Sequence, residues 1–145
     1  MKTKRLISLL MTLALCLSLV PFGLVPARAA WTGTGSGTKD DPYQISTKAE
    51  LEKFRNIVNG ANGETQNLAA CAVLTADIVL ENAAWTPIGE DESNAYTGTF
   101  DGAGCEISGL SVSGNLEYAG LFGYIGSNGV VENLSVSGTV TATSI

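Results

Sequence analysis

Hydrophobic positions change their spacing twice along this chain. From Leu6 to Val20 they form one apolar run broken only by Ser8, Thr12 and Ser18. The run follows the basic stretch Met1-Lys2-Thr3-Lys4-Arg5 and precedes Pro21, Gly23, Pro26 and the Ala27-Arg28-Ala29 pattern. That order predicts a signal peptide over residues 1–29, cleaved after Ala29. An uncleaved anchor is disfavoured because the run is short of the roughly 20 residues of a span. A lipoprotein site at Cys16 is disfavoured because Leu15 is larger than the small residue expected before a lipidated cysteine.

The second spacing is helical. Thr47 with Glu50 three residues on forms a capping-box pattern, and Leu51, Phe54, Ile57 and Val58 then fall on one face. A helix over about 48–58 follows, ended by Gly60. Before it, Trp31 to Lys39 reads as a flexible leading segment with too little apolar character to pack. Asp40-Asp41-Pro42 predicts a turn and Tyr43-Gln44-Ile45 a short strand.

From Ala69 the pattern becomes short β segments separated by glycine and asparagine. Candidate strands are 72–80, 85–89, 96–100, 107–112, 116–125 and 130–136, with another from 139. Gly109-Leu110-Ser111-Val112-Ser113-Gly114 recurs as Asn133-Leu134-Ser135-Val136-Ser137-Gly138, an offset of 24 residues. Asp77-Ile78-Val79-Leu80 fits the same template 32 residues earlier, with Ile78 over Leu110 and the acidic loop Glu90-Asp91-Glu92 as a bulge. Repeats of this length predict stacked coils that bury apolar residues against their neighbours. Within a repeat, Ile107, Leu110 and Val112 match Val131, Leu134 and Val136. The step of three and then two predicts bends at Ser108-Gly109 and Glu132-Asn133, which suits a parallel β-helix. A β-sandwich with a coincidental repeat is the alternative.

Composition then removes whole chemistries. The chain has no histidine, which excludes Ser-His-Asp and Cys-His nucleophile systems, HExxH zinc sites and histidine-based facial triads. After the leader, four cations (Lys39, Lys48, Lys53, Arg55) face fourteen acids, a net charge of −10. So acidic a chain repels phosphate backbones, which argues against nucleic-acid binding. The mean hydropathy of +0.21 owes much to the leader.

Several of these segments, in this order, resemble one family. Ala119-Gly120-Leu121-Phe122-Gly123 is similar to the motif of the GLUG repeat family of bacterial extracellular and cell-surface proteins. Tyr96-Thr97-Gly98-Thr99-Phe100-Asp101-Gly102 followed by Ile107-Ser108-Gly109-Leu110 resembles the stretch that precedes that motif, and Gly37 to Thr47 plus the helix resembles its usual start. The resemblance spans about Gly35 to Ile145. It implies an all-β, right-handed parallel β-helix (a solenoid) with one short N-terminal capping helix, in an adhesin-like secreted protein. It also implies that Gly120 and Gly123 serve a tight backbone path while Leu121 and Phe122 point inward. Cys105 departs from the pattern, standing where a polar residue is expected.

Candidate chemistry is sparse. Cys71 and Cys105 survive leader removal, but the 32-residue register places Cys71 over Ala103 and Cys105 two residues along. That diagonal is roughly 8 Å, beyond the ~7 Å reach of an unstrained disulfide, so two small buried thiols are expected. Glu90-Asp91-Glu92 lacks the spacing and glycine of a calcium loop and reads as solvated. Asp101 with Glu106, or Asp77 with Asp101, is the conceivable glycosidase pair, although Asp101 suits a local Asp-Gly turn. Neither Gly33-Gly35-Gly37 nor Gly120-Gly123-Gly126 makes a nucleotide fingerprint. Tyr96, Tyr118 and Tyr124 are candidates for a carbohydrate-binding face, and Asn133-Leu134-Ser135 is a sequon relevant only in a eukaryotic host.

The expectation is therefore a secreted or cell-surface bacterial module with 1–29 as signal peptide, 30–39 as flexible leader and 40–145 as the start of a GLUG-type β-helix. It acts by binding an extracellular carbohydrate or protein surface, with no catalytic, cofactor-binding or metal residue assigned and no nucleic-acid partner. No membrane span is expected after cleavage. Because Gly138 to Ile145 enters a strand and stops, the chain is expected to be the front of a longer polypeptide. The alternatives are a polysaccharide-processing β-helix enzyme, or the non-catalytic front part of a larger secreted peptidase.

Overall fold

A computed structural model describes residues 31–143; the signal-peptide expectation lies outside the described residues. The order of elements is β1 (Tyr43–Ile45), α1 (Lys48–Asn59), β2 (Ala72–Leu74), β3 (Ile78–Val79), β4 (Thr99–Asp101), β5 (Glu106–Gly114), β6 (Val130–Glu132) and β7 (Ser135–Ala142). β1-β2-β4-β6 form one parallel sheet and β3-β5-β7 a second.

The all-β right-handed parallel β-helix is not what the described chain builds. It forms two small parallel sheets of short strands and a twelve-residue helix that supplies part of the core. The expected strands 85–89 and 116–125 contribute only the isolated bridges Ile88↔Phe122 and Tyr96↔Ile125. Pro87 has no amide to donate, and Gly89, Gly120 and Gly123 supply no side chain to pack, so no ladder propagates there.

Helix α1 follows its local rules. Glu50 N–H donates to Thr47 Oγ1 at 3.2 Å, Glu50 Oε2 accepts from Thr47 N–H at 3.0 Å, and Gly60 closes the helix in the left-handed conformation. Leu51, Phe54, Ile57 and Val58 are buried, as their spacing requires. The last helical residue, Asn59, donates from Nδ2 to Pro87 O at 2.8 Å and accepts at Oδ1 from Gly89 N–H at 3.0 Å. The helix is thereby fastened to a segment about thirty positions downstream. Around Phe54 the core is aromatic, with Tyr96 and Phe100 at centroid distances of 6.2 and 5.6 Å and Phe122 5.4 Å from Phe100.

Strand register departs from the 24-residue repeat. Ile78 lies opposite Ile107 rather than Leu110, and Ile107, Leu110 and Val112 lie opposite Val136, Gly138 and Val140. The true spacing in this sheet is 28 or 29 residues. A bulge explains the offset: Ser108 and Gly109 on β5 oppose one residue on β7, and Gly109 turns through φ +68°. The expected bend at Ser108-Gly109 is thus present, and at the other predicted bend Asn133 adopts φ +53°. Gly138 is required by crowding, since a Cβ there would stand 2.2 Å from Leu110 O.

Residues 31–41 pack, contrary to the expectation of a loose leader. The Trp31 and Tyr43 rings lie 4.4 Å apart, and Gln44 N–H donates to Thr34 O at 2.9 Å along the outer edge of β1. One indole and a few backbone amides hold the segment in place despite its few apolar residues.

Candidate functional site

The parallel register of the first sheet stacks Gln44, Val73, Asp101 and Glu132 in one outward-facing row. Their neighbours Ile45, Leu74 and Phe100 are buried, because alternate residues of a strand face opposite sides. Beside that row the segment 36–41 folds over the sheet edge. The amides of Ser36 and Gly37 donate to Asp41 O at 3.0 Å each, and Cys71 N–H donates to Gly37 O at 2.8 Å. Gly37 is required there, since it sits at φ +79° and a Cβ would meet the Tyr43 ring at 2.3 Å.

This fastening sets Lys39 at the rim of a groove of about 250 Å³. Pro42, Cys71, Ala72 and Val73 give it an apolar side, and Thr99, Asp101 and Glu132 a polar one. Asp101 Oδ1 accepts from Ala103 N–H at 2.8 Å and from Asn133 Nδ2 at 3.0 Å. Those two bonds hold its carboxyl below the usual range, the Ala103 amide being the larger cause. An anionic Asp101 is suited to accepting hydrogen bonds. A glycosidase acid needs the opposite shift.

Each acid of the conceivable pairs is engaged in hydrogen bonds of its own. Asp77, just before β3, accepts at Oδ1 from Glu106 N–H at 2.8 Å, and Glu106 Oε1 accepts from Ser137 Oγ at 2.7 Å. Asp101 stands in the first sheet beside Glu132, which sequence reasoning did not single out. In the acidic loop, Asp91 accepts from the side chain of Asn94 and from the amides of Asn94 and Ser93, which lowers its pKa and uses it in a turn.

The tyrosines divide. Tyr96 has no exposed surface and its hydroxyl donates to Ala70 O at 2.9 Å, so it is core rather than binding face. Tyr118 and Tyr124 meet edge to face at 5.2 Å and are half-buried. The nearby charge of Glu117 is the chief cause raising the Tyr118 pKa. Leu121 is buried and Phe122 half-buried, and a Cβ on Gly123 would stand 2.5 Å from Gly89 O. Cys71 and Cys105 are free thiols, Cys71 buried and Cys105 half-buried. Continuing the β2–β4 register places Cys71 opposite Thr99 rather than Ala103.

Among the described residues no helix is long and apolar enough to cross a membrane. No family model matches the chain, and no solved structure matches it. Two relatives do. A putative Gly-rich membrane protein of Evansella cellulosilytica is 41% identical over 107 residues, covering 72% of this chain and 12% of its own length. Halomucin of Haloquadratum walsbyi is 35% identical over 109 residues, covering 70% of this chain and 1% of its own length. The chain therefore spans only a small part of these relatives, whose names point to a membrane- or surface-associated class of protein.

Proposed function

We propose that this chain is a secreted or cell-surface module that binds an extracellular ligand without transforming it, and that the groove between Lys39 and Glu132 is the contact site. The observation that carries this is the groove itself: an apolar wall beside anionic acceptors, a hydroxyl and one ammonium donor. Binding sites commonly combine a mostly apolar surface with a few placed polar groups. Such a set suits a hydroxyl-rich ligand, and a net charge of −10 over the described residues favours neutral or amino-bearing glycans over acidic ones. The leader pattern and the relatives' names support the extracellular setting.

Calorimetric titration with neutral, amino-bearing and acidic polysaccharides tests the reading, paired with an assay for released reducing ends. Saturable binding that weakens severalfold in Glu132→Gln, with no products released, is the expected result. Product release would establish turnover and overturn the proposal. Binding unchanged in both Glu132→Gln and Lys39→Ala would remove the groove.

A further inference from the structure

Charges of both signs stand unpaired around the groove of the first sheet. Among the described residues the ion pairs join Lys48 to Glu81 and Lys53 to Glu64, and neither the Lys39 ammonium nor the Glu132 carboxylate has a partner. Asp101 is engaged at Oδ1 alone, by Ala103 N–H and Asn133 Nδ2, which leaves Oδ2 open. Asp101 and Glu132 are register partners on adjacent parallel strands, so their Cα atoms lie about 5 Å apart and both side chains leave the same face. The segment that carries Lys39 is tied through Gly37 to Cys71, just before β2. β6, with Glu132, lies two strand spacings from β2, roughly 10 Å. Cys71 and Val73 supply the apolar wall alongside.

We propose that this groove selects a glycan carrying both signs of charge, with an ammonium seated between Asp101 Oδ2 and the Glu132 carboxylate and a carboxylate reached by Lys39. The inference rests on the groove being the contact site, and names what it contacts. Charge complementarity chooses the occupant. A ligand lying over the groove takes these three groups partly out of water, which costs free energy unless opposite charges meet them. A neutral glycan meets none of them. An amino-bearing glycan sets like charge against Lys39, and an acidic one sets it against Asp101 and Glu132. A ligand bearing both signs satisfies each end, and with no net charge it is not repelled by a chain at −10. Rejection of the single-sign ligands supplies the specificity.

The test is calorimetric titration of the full chain with four oligosaccharides of equal length: dextran, chitosan, hyaluronan and partly de-N-acetylated hyaluronan. Their charges are respectively none, positive, negative and mixed. The mixed-charge oligomer should bind about tenfold more tightly than each of the others. Lys39→Ala should erase its advantage over chitosan, and Glu132→Gln should cut its advantage over hyaluronan severalfold. Both side chains are exposed and unbonded, so the substitutions leave the fold intact. Any of the other three binding as tightly as the mixed-charge oligomer, with an affinity that still depends on Glu132, overturns the inference and leaves the groove as a binding site. Advantages unchanged in both variants overturn the inference and remove the groove. No saturable binding of any of the four overturns it together with the reading of the groove as a glycan site.

Discussion

The hydroxyl of Tyr96 donates to the carbonyl of Ala70 at 2.9 Å from within a ring cluster that excludes water. Removing it in Tyr96→Phe leaves a buried carbonyl unpaired, at a cost of roughly 1–3 kcal/mol. A lower denaturation midpoint with an unchanged urea slope is expected. Burial also raises the Tyr96 pKa far above its ordinary value. A raised acid pKa means the folded state holds its proton longer than the unfolded chain does. Its contribution is therefore complete below about pH 10, the unfolded value, and lost as pH rises further. Alkaline spectrophotometric titration should show Tyr96 ionising only as the protein unfolds.

At acid pH the sign reverses. Glu50, Asp91 and Asp101 all have lowered pKa values. Asp91 and Asp101 are held by hydrogen bonds, and at Glu50 bonds from Ser46 and Thr47 outweigh burial. Their contribution is present above the unfolded values, about 4, and is lost as pH falls through the folded ones. Stability measured downward from pH 5 should decline, and the decline should be shallower in Glu50→Gln. Thr47→Ala should cost about 1 kcal/mol at neutral pH, the usual worth of an N-cap.

Two glycines separate crowding from conformation. Gly104 sits at φ +82° with open space where a Cβ would go, so Gly104→Ala should cost only the roughly 1–2 kcal/mol of a left-handed residue. At Gly123 a Cβ would meet the Gly89 carbonyl at 2.5 Å, so Gly123→Ala must push two backbone segments apart. Thermal melts should rank Gly123→Ala well below Gly104→Ala. Equal melting temperatures would mean that the Gly89–Gly123 approach is not present in solution.

Helix α1 was legible because its rules are local: Thr47, Glu50 and Gly60 act over a few residues, and Leu51, Phe54 and Val58 declare a face. The bend at Gly109 was legible for the same reason, from the uneven step between Ile107 and Leu110. Register was not. The recurring Leu-Ser-Val-Ser-Gly set a 24-residue offset that places Glu132 against Ser108, whereas pairing across the sheet places it against Asp101. The partner of a parallel strand is chosen by the path of the intervening chain, which varies in length here. Hence the groove appears only in three dimensions. Tyr96 was misread because nothing in Ala95-Tyr96-Thr97 marks which side of the chain meets the core.

The clamp at Asn59 has a chemical consequence. Its side-chain amide is engaged at both ends, by Pro87 and by Gly89, and the next residue is Gly60, whose amide is committed to Asn56. An asparagine before glycine deamidates readily when its backbone can swing to attack the side chain, and asparagine is among the thermolabile residues. In the folded chain that swing is blocked. Each unfolding excursion exposes it, and the resulting carboxylate can no longer donate to Pro87. Asn59 therefore records past unfolding as permanent damage, unlike the exposed asparagines of Asn62-Gly63 and Asn128-Gly129, which no such clamp protects.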